Sequence, residues 1–216
     1  MNTDLIIESL PQLLHGLAVT VGLSVAAIAG STVIGLLVAT ARTSKLPVIS
    51  QLGRAYVEIF RGSPLPITLL FIYFGAVYYL GYSLNLFVAA TVGLSLYHGA
   101  YVAEIFRSGI EAVHVGQREA AQVLGLSNSQ VFFSVVLPQT RRIVMPPLVG
   151  QYISLVKDTS IAFLIGTVEL MKVGQSIVDR TGQSVPIYLS VAVLYFIICY
   201  PLSVWVRRSD RKVVSQ

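Results

Sequence analysis

The sequence predicts an all-α integral membrane protein with about five transmembrane helices. Of its 216 residues, 55% are hydrophobic and only 12% are charged, which is about half of the ~25% typical of soluble domains. The charged residues are also clustered, which leaves uncharged runs at residues 9–41, 62–103, 143–156 and 181–206. Because a transmembrane helix needs ~20 mostly apolar residues, these runs indicate membrane spans. Residues 1–216 are therefore treated as one transmembrane domain.

The individual spans follow from the charged, proline and turn residues that interrupt the apolar sequence. The predicted spans are residues 13–41, 66–80, 86–106, 143–168 with an interruption at 157–160, and 187–206. The first is rich in the small residues that allow close helix packing in lipid, and Pro47 breaks the helix after it. Residues 1–12 are expected to lie along the outer interface, and residues 174–186 to form a polar outer segment.

Two acid–base pairs spaced three residues apart are expected on single helix faces. Glu58 and Arg61 precede a Gly-Ser-Pro-Leu-Pro run that must distort the backbone before the second span. Glu104 and Arg107 are expected to pair at the inner end of the third span.

The basic residues are distributed asymmetrically about these spans. With five spans and an external N-terminus, twelve of the 15 Lys and Arg residues fall on one side. These twelve are Arg42, Lys45, Arg54, Arg61, Arg107, Arg118, Arg141, Arg142, Arg207, Arg208, Arg211 and Lys212. The positive-inside rule places them in the cytoplasm, together with the C-terminus. The net charge of +5 is therefore explained by membrane orientation and does not indicate a nucleic-acid partner.

A polar island at residues 117–138 stands out in this apolar sequence, and it predicts two short helices joined by a turn. The first helix contains good helix formers and stops at Gly125, because glycine readily adopts the left-handed conformation that ends helices. Ser127 and Gln130 form a capping box that starts the second helix. Pro138 is expected to end or kink that helix.

The spacing within this island is Glu-Ala-Ala, three residues, Gly, nine residues, Val, one residue, Leu-Pro. It resembles the EAA loop of ABC importer permeases, with Val135 at the position where that family usually has Ile. Further matching stretches lie at residues 58–65, 100–107, 116–117 and 157–161. The chain thus resembles the transmembrane subunit of a polar amino-acid ABC importer of the histidine/glutamine/arginine permease type, with a coupling loop at about 113–138.

The resemblance implies a set of partners in a bacterial inner membrane. They are a second permease subunit, identical or paralogous, two cytoplasmic ATPase subunits and an external substrate-binding protein. ATP and Mg would bind to the ATPase, since this chain has no Gly-Lys dipeptide and hence no Walker A loop. The chain itself would then bind no cofactor and catalyse no reaction. The residues implied to engage the ATPase are Gln117, Glu119, Ala120, Ala121, Leu124 and Gly125.

Polar residues inside the predicted spans are candidates for a substrate pathway, because ionisable groups within a membrane indicate function. They are His98, Tyr101, Gln151, Tyr152, Lys157, Asp158, Thr159 and Ser160. Thr159 and Ser160 are expected to cap a resumed helix and free backbone groups for a ligand. The alternative is a self-satisfied helix break with an internal ion pair. For His98, the alternatives are a hydrogen-bonded packing residue and a ligand contact.

The identity of Tyr152 bears on the substrate. Relatives that carry cationic amino acids often have an acidic residue at this position, so its absence favours neutral or zwitterionic substrates. Two other functional classes are weighed against the importer subunit: a self-sufficient secondary transporter or channel, and an intramembrane enzyme. The sequence contains no evident internal repeat for the former and no nucleophile–base or metal-ligand constellation for the latter.

Overall fold

The computed structural model describes residues 3–44 and 46–214, with side chains described for residues 5–44, 46–79 and 81–204. Within this part of the chain, nine α-helices are accompanied by one π turn and one 3-10 helix. The α-helices are α1 Thr3–Arg42, α2 Pro47–Gly62, α3 Leu65–Leu80, α4 Leu86–Glu111, α5 Val115–Val123, α6 Asn128–Val131, α7 Leu137–Asp158, α8 Leu170–Thr181 and α9 Ser184–Val214. The π turn is Phe132–Val136 and the 3-10 helix is Thr159–Ile165. Five of the basic residues predicted to face the cytoplasm fall outside this description: Lys45 as a whole, and the side chains of Arg207, Arg208, Arg211 and Lys212.

Four helical segments in the described chain are long and apolar enough to cross a membrane. They are Leu5–Arg42, Leu86–Glu111, Asn128–Ile165 and Ser184–Val204. A fifth candidate is the pair α2 and α3, which bends by 110° at a short break. The predicted all-α membrane fold with about five spans is confirmed, and the distortion expected from the Gly-Ser-Pro-Leu-Pro run is this bend.

Helix α1 packs along α4, where small residues bring the two helices close together. A Cβ atom built on Gly30 would lie 2.3 Å from the Ser95 hydroxyl oxygen, and one on Gly35 would lie 2.4 Å from Val102. Neither position has room for a larger side chain. The small-residue packing predicted for the first span is therefore confirmed.

The N-terminal segment differs from the prediction. Residues 1–12 were expected along the outer interface, but α1 is continuous from Thr3 to Arg42 and contains Pro11. A helix of 40 residues is roughly 60 Å long at 1.5 Å per residue, against ~30 Å of hydrocarbon. The acidic residues near the start of α1 therefore lie on a helical extension, and they do not mark a separate segment.

Span four is also longer and more regular than predicted. It was expected to start near Ile143 and to break at 157–160, but helical structure runs without interruption from Asn128 to Ile165. Thr159 donates to the carbonyl oxygen of Val156 at 2.8 Å, and Ser160 donates to that of Lys157 at 2.7 Å. Because both hydroxyl groups bond back to their own helix, they do not cap a resumed helix. The α-helix does end at Asp158, within the predicted interruption, but the span continues directly as the 3-10 helix Thr159–Ile165.

The predicted polar outer segment begins with an amphipathic helix, α8. Its N-cap is Glu169, a fully buried carboxylate that accepts from the backbone N–H groups of Met171 and Lys172, each at 2.8 Å. The Tyr195 hydroxyl of α9 also donates to it at 2.9 Å. Burial raises the pKa of Glu169, while the backbone hydrogen bonds oppose that rise. This one side chain thus anchors α8 onto α9, and α9 begins at Ser184, ahead of the predicted start of span five.

Candidate functional site: a coupling loop and a polar seam

Helix α5, which carries the Glu-Ala-Ala sequence, is held near its start by two hydrogen bonds. At its start, His114 Nδ1 accepts from the backbone N–H of Gly116 at 3.1 Å. Arg118 Nη2 donates to the carbonyl oxygen of Ile110 at 2.7 Å, which ties the loop to the end of α4. The loop therefore has a defined position relative to the third span.

The turn after α5 has the geometry that the sequence predicts. Gly125 has φ of +84°, and its N–H donates to the carbonyl oxygen of Gln122 at 2.9 Å. Both capping-box bonds are present: Gln130 Oε1 accepts from the Ser127 N–H at 2.9 Å, and Ser127 Oγ accepts from the Gln130 N–H at 3.4 Å. A left-handed residue followed by a capped helix N-terminus fixes the angle between the two helices.

The second helix of the predicted pair is not a separate element. It continues through the π turn Phe132–Val136 into α7, so Pro138 neither ends it nor separates it from span four. The π turn places the N–H of Leu137 on the carbonyl oxygen of Phe132, directly before the proline that lacks an N–H. The coupling loop and the fourth span therefore share one helical segment.

The coupling loop buries one small apolar cluster and exposes the rest. Ala121 is 6% exposed and packs with Val113, Val131 and Val136. The other predicted coupling residues, Gln117, Glu119, Ala120, Leu124 and Gly125, are all exposed. Of these, Leu124 is 79% exposed, and its neighbour Val123 is 87% exposed, although α5 lies outside every candidate span. Large exposed apolar side chains outside the membrane indicate a protein-docking surface.

An ion-pair network joins α1 to α4 at the end nearest the loop. Glu104 binds both Arg42 and Arg107, and Arg107 also binds Glu111. The predicted pair of Glu104 and Arg107 is confirmed, and Arg42 extends it to a second helix.

The predicted pair of Glu58 and Arg61 is wrong: no ion pair among the described residues involves either side chain. The Arg61 guanidinium instead lies over the Tyr101 ring, 5.3 Å from its centroid. The last turn of α2 therefore contacts α4, just before the 110° bend between α2 and α3.

A polar seam lies between α4 and α7 and brings three of the predicted pathway residues together. The His98 side chain is 1% exposed, and its Nδ1 lies 2.7 Å from Gln151 Nε2. Its Nε2 lies 3.3 Å from a carboxylate oxygen of Asp158. Because the amide N–H of Gln151 can only donate, Nδ1 is the acceptor and Nε2 carries the proton that faces Asp158. His98 is therefore a hydrogen-bonded packing residue with a carboxylate neighbour.

Tyr101 lies on the same seam, where its hydroxyl is 3.2 Å from that of Tyr97. It lines a cavity of about 410 Å³ together with Arg61, Glu104, Ile105 and Gln151. This volume falls within the ~300–1,000 Å³ typical of small-molecule sites.

The remaining pathway candidates lie elsewhere. The Tyr152 hydroxyl is 2.6 Å from that of Thr32 on α1. Lys157 is exposed and lines a different cavity with Tyr195 and Cys199, between α7 and α9. The internal ion pair considered for Lys157 and Asp158 is absent from the described residues, since Asp158 faces His98.

Sequence reasoning missed two contributors to this region. Tyr97 was not among the predicted pathway residues, although its spacing of four residues from Tyr101 places both on one helix face. Thr32 carried no signal, because a lone threonine in a small-residue span is ordinary. Within the described chain, no group of three or more His, Cys, Asp or Glu side chains could hold a metal ion.

The spans, the bent helix pair and the exposed loop together define the membrane component of a multi-subunit system. The chain belongs to the family described as "Binding-protein-dependent transport system inner membrane component", whose profile matches residues 31–215. It is accordingly a multi-pass inner-membrane permease. Members of this class work with an ATPase and a substrate-binding protein.

Relatives and solved structures agree with this assignment. The chain is 37% identical to the glutamine transport system permease protein GlnP of Escherichia coli K12, over 95% of this chain and 94% of that protein. It is 40% identical to the probable glutamine ABC transporter permease protein GlnP of Bacillus subtilis, over 94% of each. A crystal structure of an amino acid ABC transporter with histidines matches with a TM-score of 0.90 and 30% identity over 96% of each chain. An inward-facing methionine ABC transporter shares the fold, with a TM-score of 0.78, 22% identity and coverage of 94% of this chain and 96% of that one.

Proposed function

We propose that this chain is the permease subunit of an ATP-driven importer for polar amino acids, and that α5 and the turn after it couple the ATPase to transport. The observation that carries the coupling role is the exposed apolar tip of α5 outside the candidate spans. The substrate class is supported by the relatives, which are named as permeases for glutamine or, more broadly, for amino acids.

The coupling mechanism uses a helix in a groove. Residues Gln117 to Leu124 insert into a groove on the ATPase, with Val123 and Leu124 buried there and Glu119 paired to a basic or backbone donor. Gly125 sets the angle at which α5 meets the next helix. Because that helix continues to Ile165, ATP-driven closure of the ATPases moves span four as well and switches the pathway between inward- and outward-facing states.

The assembly consists of two permease subunits, identical or paralogous, two ATPase subunits and one external binding protein. ATP and Mg bind to the ATPase subunits, and this chain performs no catalysis. The N-terminus lies outside and the C-terminus in the cytoplasm. Support comes from the positive-inside rule, because the basic residues Arg42, Arg107 and Arg118 lie together at the ends of α1 and α4 that are next to the coupling loop.

The substrate route follows the α4–α7 seam, past His98, Tyr101, Gln151 and Asp158. The seam combines buried polar groups with a cavity of suitable size. Tyr152 forms a hydrogen bond with Thr32 and contributes no negative charge, which supports a neutral or zwitterionic substrate. Lys157, Thr159 and Ser160 are not needed for this route, because they face another cavity or bond to their own helix.

The test is a tagged pull-down from native membranes in mild detergent, comparing wild type with Glu119→Lys. The charge reversal is expected to remove the ATPase from the complex while the permease remains inserted. Ser129→Lys is the matched control, because it adds the same charge at another exposed residue of the loop outside the coupling set. If no ATPase co-purifies with the wild type, the coupling assignment fails and a gradient-driven transporter replaces it.

A further inference from the structure

We propose that Arg61 is the carboxylate-binding residue of the transport pathway and that it holds the cargo in the cavity between α4 and α7. This inference rests on the proposed importer function and assigns a ligand contact to a residue that the pathway prediction did not include.

The first support is that Arg61 lines this cavity without an acidic partner among the described residues. Glu104 lines the same cavity, but its carboxylate is already bound by Arg42 and Arg107. Glu58, one turn before Arg61, forms no ion pair among the described residues. The charged side chains on the cavity wall are thus one carboxylate that is already bound and one guanidinium that is not.

The second support is the position of the guanidinium. Its central carbon lies 5.3 Å from the centroid of the Tyr101 ring, and no ion pair among the described residues occupies its N–H groups. A planar guanidinium binds a carboxylate through two parallel hydrogen bonds. The aromatic ring therefore fixes Arg61 in a position suited to a carboxylate ligand.

The third support is the composition of the rest of the cavity. Its walls include the apolar side chains Ile105, Ile143 and Pro147 and the amide of Gln151. The Gln151 Nε2 group is engaged by His98, and its carbonyl oxygen has no hydrogen-bond partner among the described residues. That oxygen is available to accept from a ligand N–H while Arg61 binds the carboxylate at the other end.

The depth of the cavity suits a transport site. Tyr101 lies ten residues before the inner end of α4 at Glu111, which is roughly 15 Å at 1.5 Å per residue. The cavity also includes Ala112, just past that end, so a ligand beside Arg61 and Tyr101 lies at the deeper end of a cavity that reaches the end of α4. The Arg61 guanidinium attracts a carboxylate and disfavours a cargo with a net positive charge, in agreement with the absence of an acid at position 152.

The experiment measures binding to the full permease–ATPase complex in nanodiscs without the binding protein, using a radiolabelled mixture of the twenty L-amino acids as probe. Arg61→Gln removes the charge at similar side-chain length, and Arg61→Lys restores the charge without the planar edge. Arg54→Gln serves as the control, since it removes the same charge from an exposed residue of α2 outside this cavity. Basal ATPase activity is recorded for each variant to show that the complex is intact.

We expect Arg61→Gln to weaken binding about 10- to 100-fold, as is typical for loss of a charged hydrogen bond, with Arg61→Lys in between. Arg54→Gln should leave both binding and basal ATPase activity within about twofold of the wild type. Decarboxylated amine analogues should compete equally weakly in wild type and Arg61→Gln. Unchanged binding in Arg61→Gln, or no binding by the wild type, overturns the proposal.

Two further arms separate the alternatives. Nanodiscs with and without anionic phosphatidylglycerol test whether a lipid phosphate binds to Arg61. If that lipid displaces the bound amino acids and Arg61→Gln has no effect on uptake, Arg61 is a lipid-binding residue and the proposal is overturned. ATP-driven uptake with the binding protein present tests the importer function itself. Normal uptake in both wild type and Arg61→Gln refutes only the role of Arg61, whereas no uptake of any amino acid by the wild type refutes the importer.

Discussion

Substitution of Gly125 offers a quantitative test of the coupling loop, because the structure separates backbone strain from steric clash at this residue. No atom lies within 4 Å of a Cβ built on Gly125, while its φ is +84°. A side chain therefore meets open space, and the cost of Gly125→Val comes from the backbone alone. A left-handed conformation costs a non-glycine residue roughly 1–2 kcal/mol, and it is least tolerated by β-branched residues.

This cost is large relative to the small apolar surface that α5 buries. Helix α5 buries only Ala121 in the small cluster with Val113, Val131 and Val136. A loss of about 1–2 kcal/mol changes a two-state equilibrium by a factor of about 5–30, which sets the expected decrease in ATP-coupled uptake for Gly125→Val. Asn is the matched control, because it is the non-glycine residue that most readily ends helices in this conformation, and Gly125→Asn should retain uptake within about twofold.

The assay is ATP-driven amino-acid uptake in proteoliposomes that contain the permease, the ATPase and the binding protein, with the amount of inserted permease measured in parallel. Both variants should insert normally, and only Gly125→Val should lose coupling. If Val and Asn have equal effects, the left-handed turn does not control the coupling angle. If neither variant affects uptake, the assignment of this loop to ATPase coupling is refuted.

Three further predictions concern packing, capping and the polar seam. Gly30→Ala should lower the Tm in detergent by several degrees, because the added Cβ would lie 2.3 Å from the Ser95 hydroxyl oxygen and overpacking costs about 1–3 kcal/mol. Gly150→Ala is the control: its added Cβ would have no neighbouring atom within 4 Å, so the Tm should stay unchanged or rise. Glu169→Ala should destabilise by about 1–2 kcal/mol through loss of the α8 cap, and Glu169→Gln by less. Burial raises the pKa of Glu169. The stabilising contribution of this side chain is therefore full at pH values below the pKa of the unfolded state, and it decreases as the pH rises through the pKa of the folded state. The Tm of the wild type should fall as the pH rises between these two pKa values, and the Tm of Glu169→Gln should change less. His98→Leu should lower the Tm more than Tyr101→Phe, because it removes the imidazole that faces Asp158. Equal Tm values for the two variants would show that the contact between His98 and Asp158 contributes little to stability.

Local motifs were predictable where neighbouring residues alone determine the structure. The left-handed Gly125, the capping box of Ser127 and the start of α4 after Asn85 all depend on side chains within a few residues of the backbone that they stabilise. The bend before α3 followed equally from a proline-containing run. In each case the physical cause lies within one turn of chain, so the pattern and the structure agree.

Long-range partners were not predictable in the same way. Arg61 was assigned to Glu58 because the two are three residues apart, but it lies over Tyr101 of another helix instead. Asp158 was considered as a partner of its neighbour Lys157, but on a helix adjacent residues point in different directions, and Asp158 faces His98 of another helix. Sequence spacing describes one helix face, whereas these contacts depend on how two helices cross.

The continuity between the coupling loop and span four shows how a proline can mislead when it is considered alone. Pro138 was expected to end or kink a short helix, because its ring clashes with a carbonyl group one turn earlier and its nitrogen cannot donate. The π turn Phe132–Val136 directly before it widens that turn, and Leu137 donates to Phe132 in the wider pattern. Such π turns often occur at functional positions. A short α6 that continues through this turn into α7 keeps the loop and the polar seam on one helical element, so movement of the loop acts directly on the segment that carries Gln151 and Asp158.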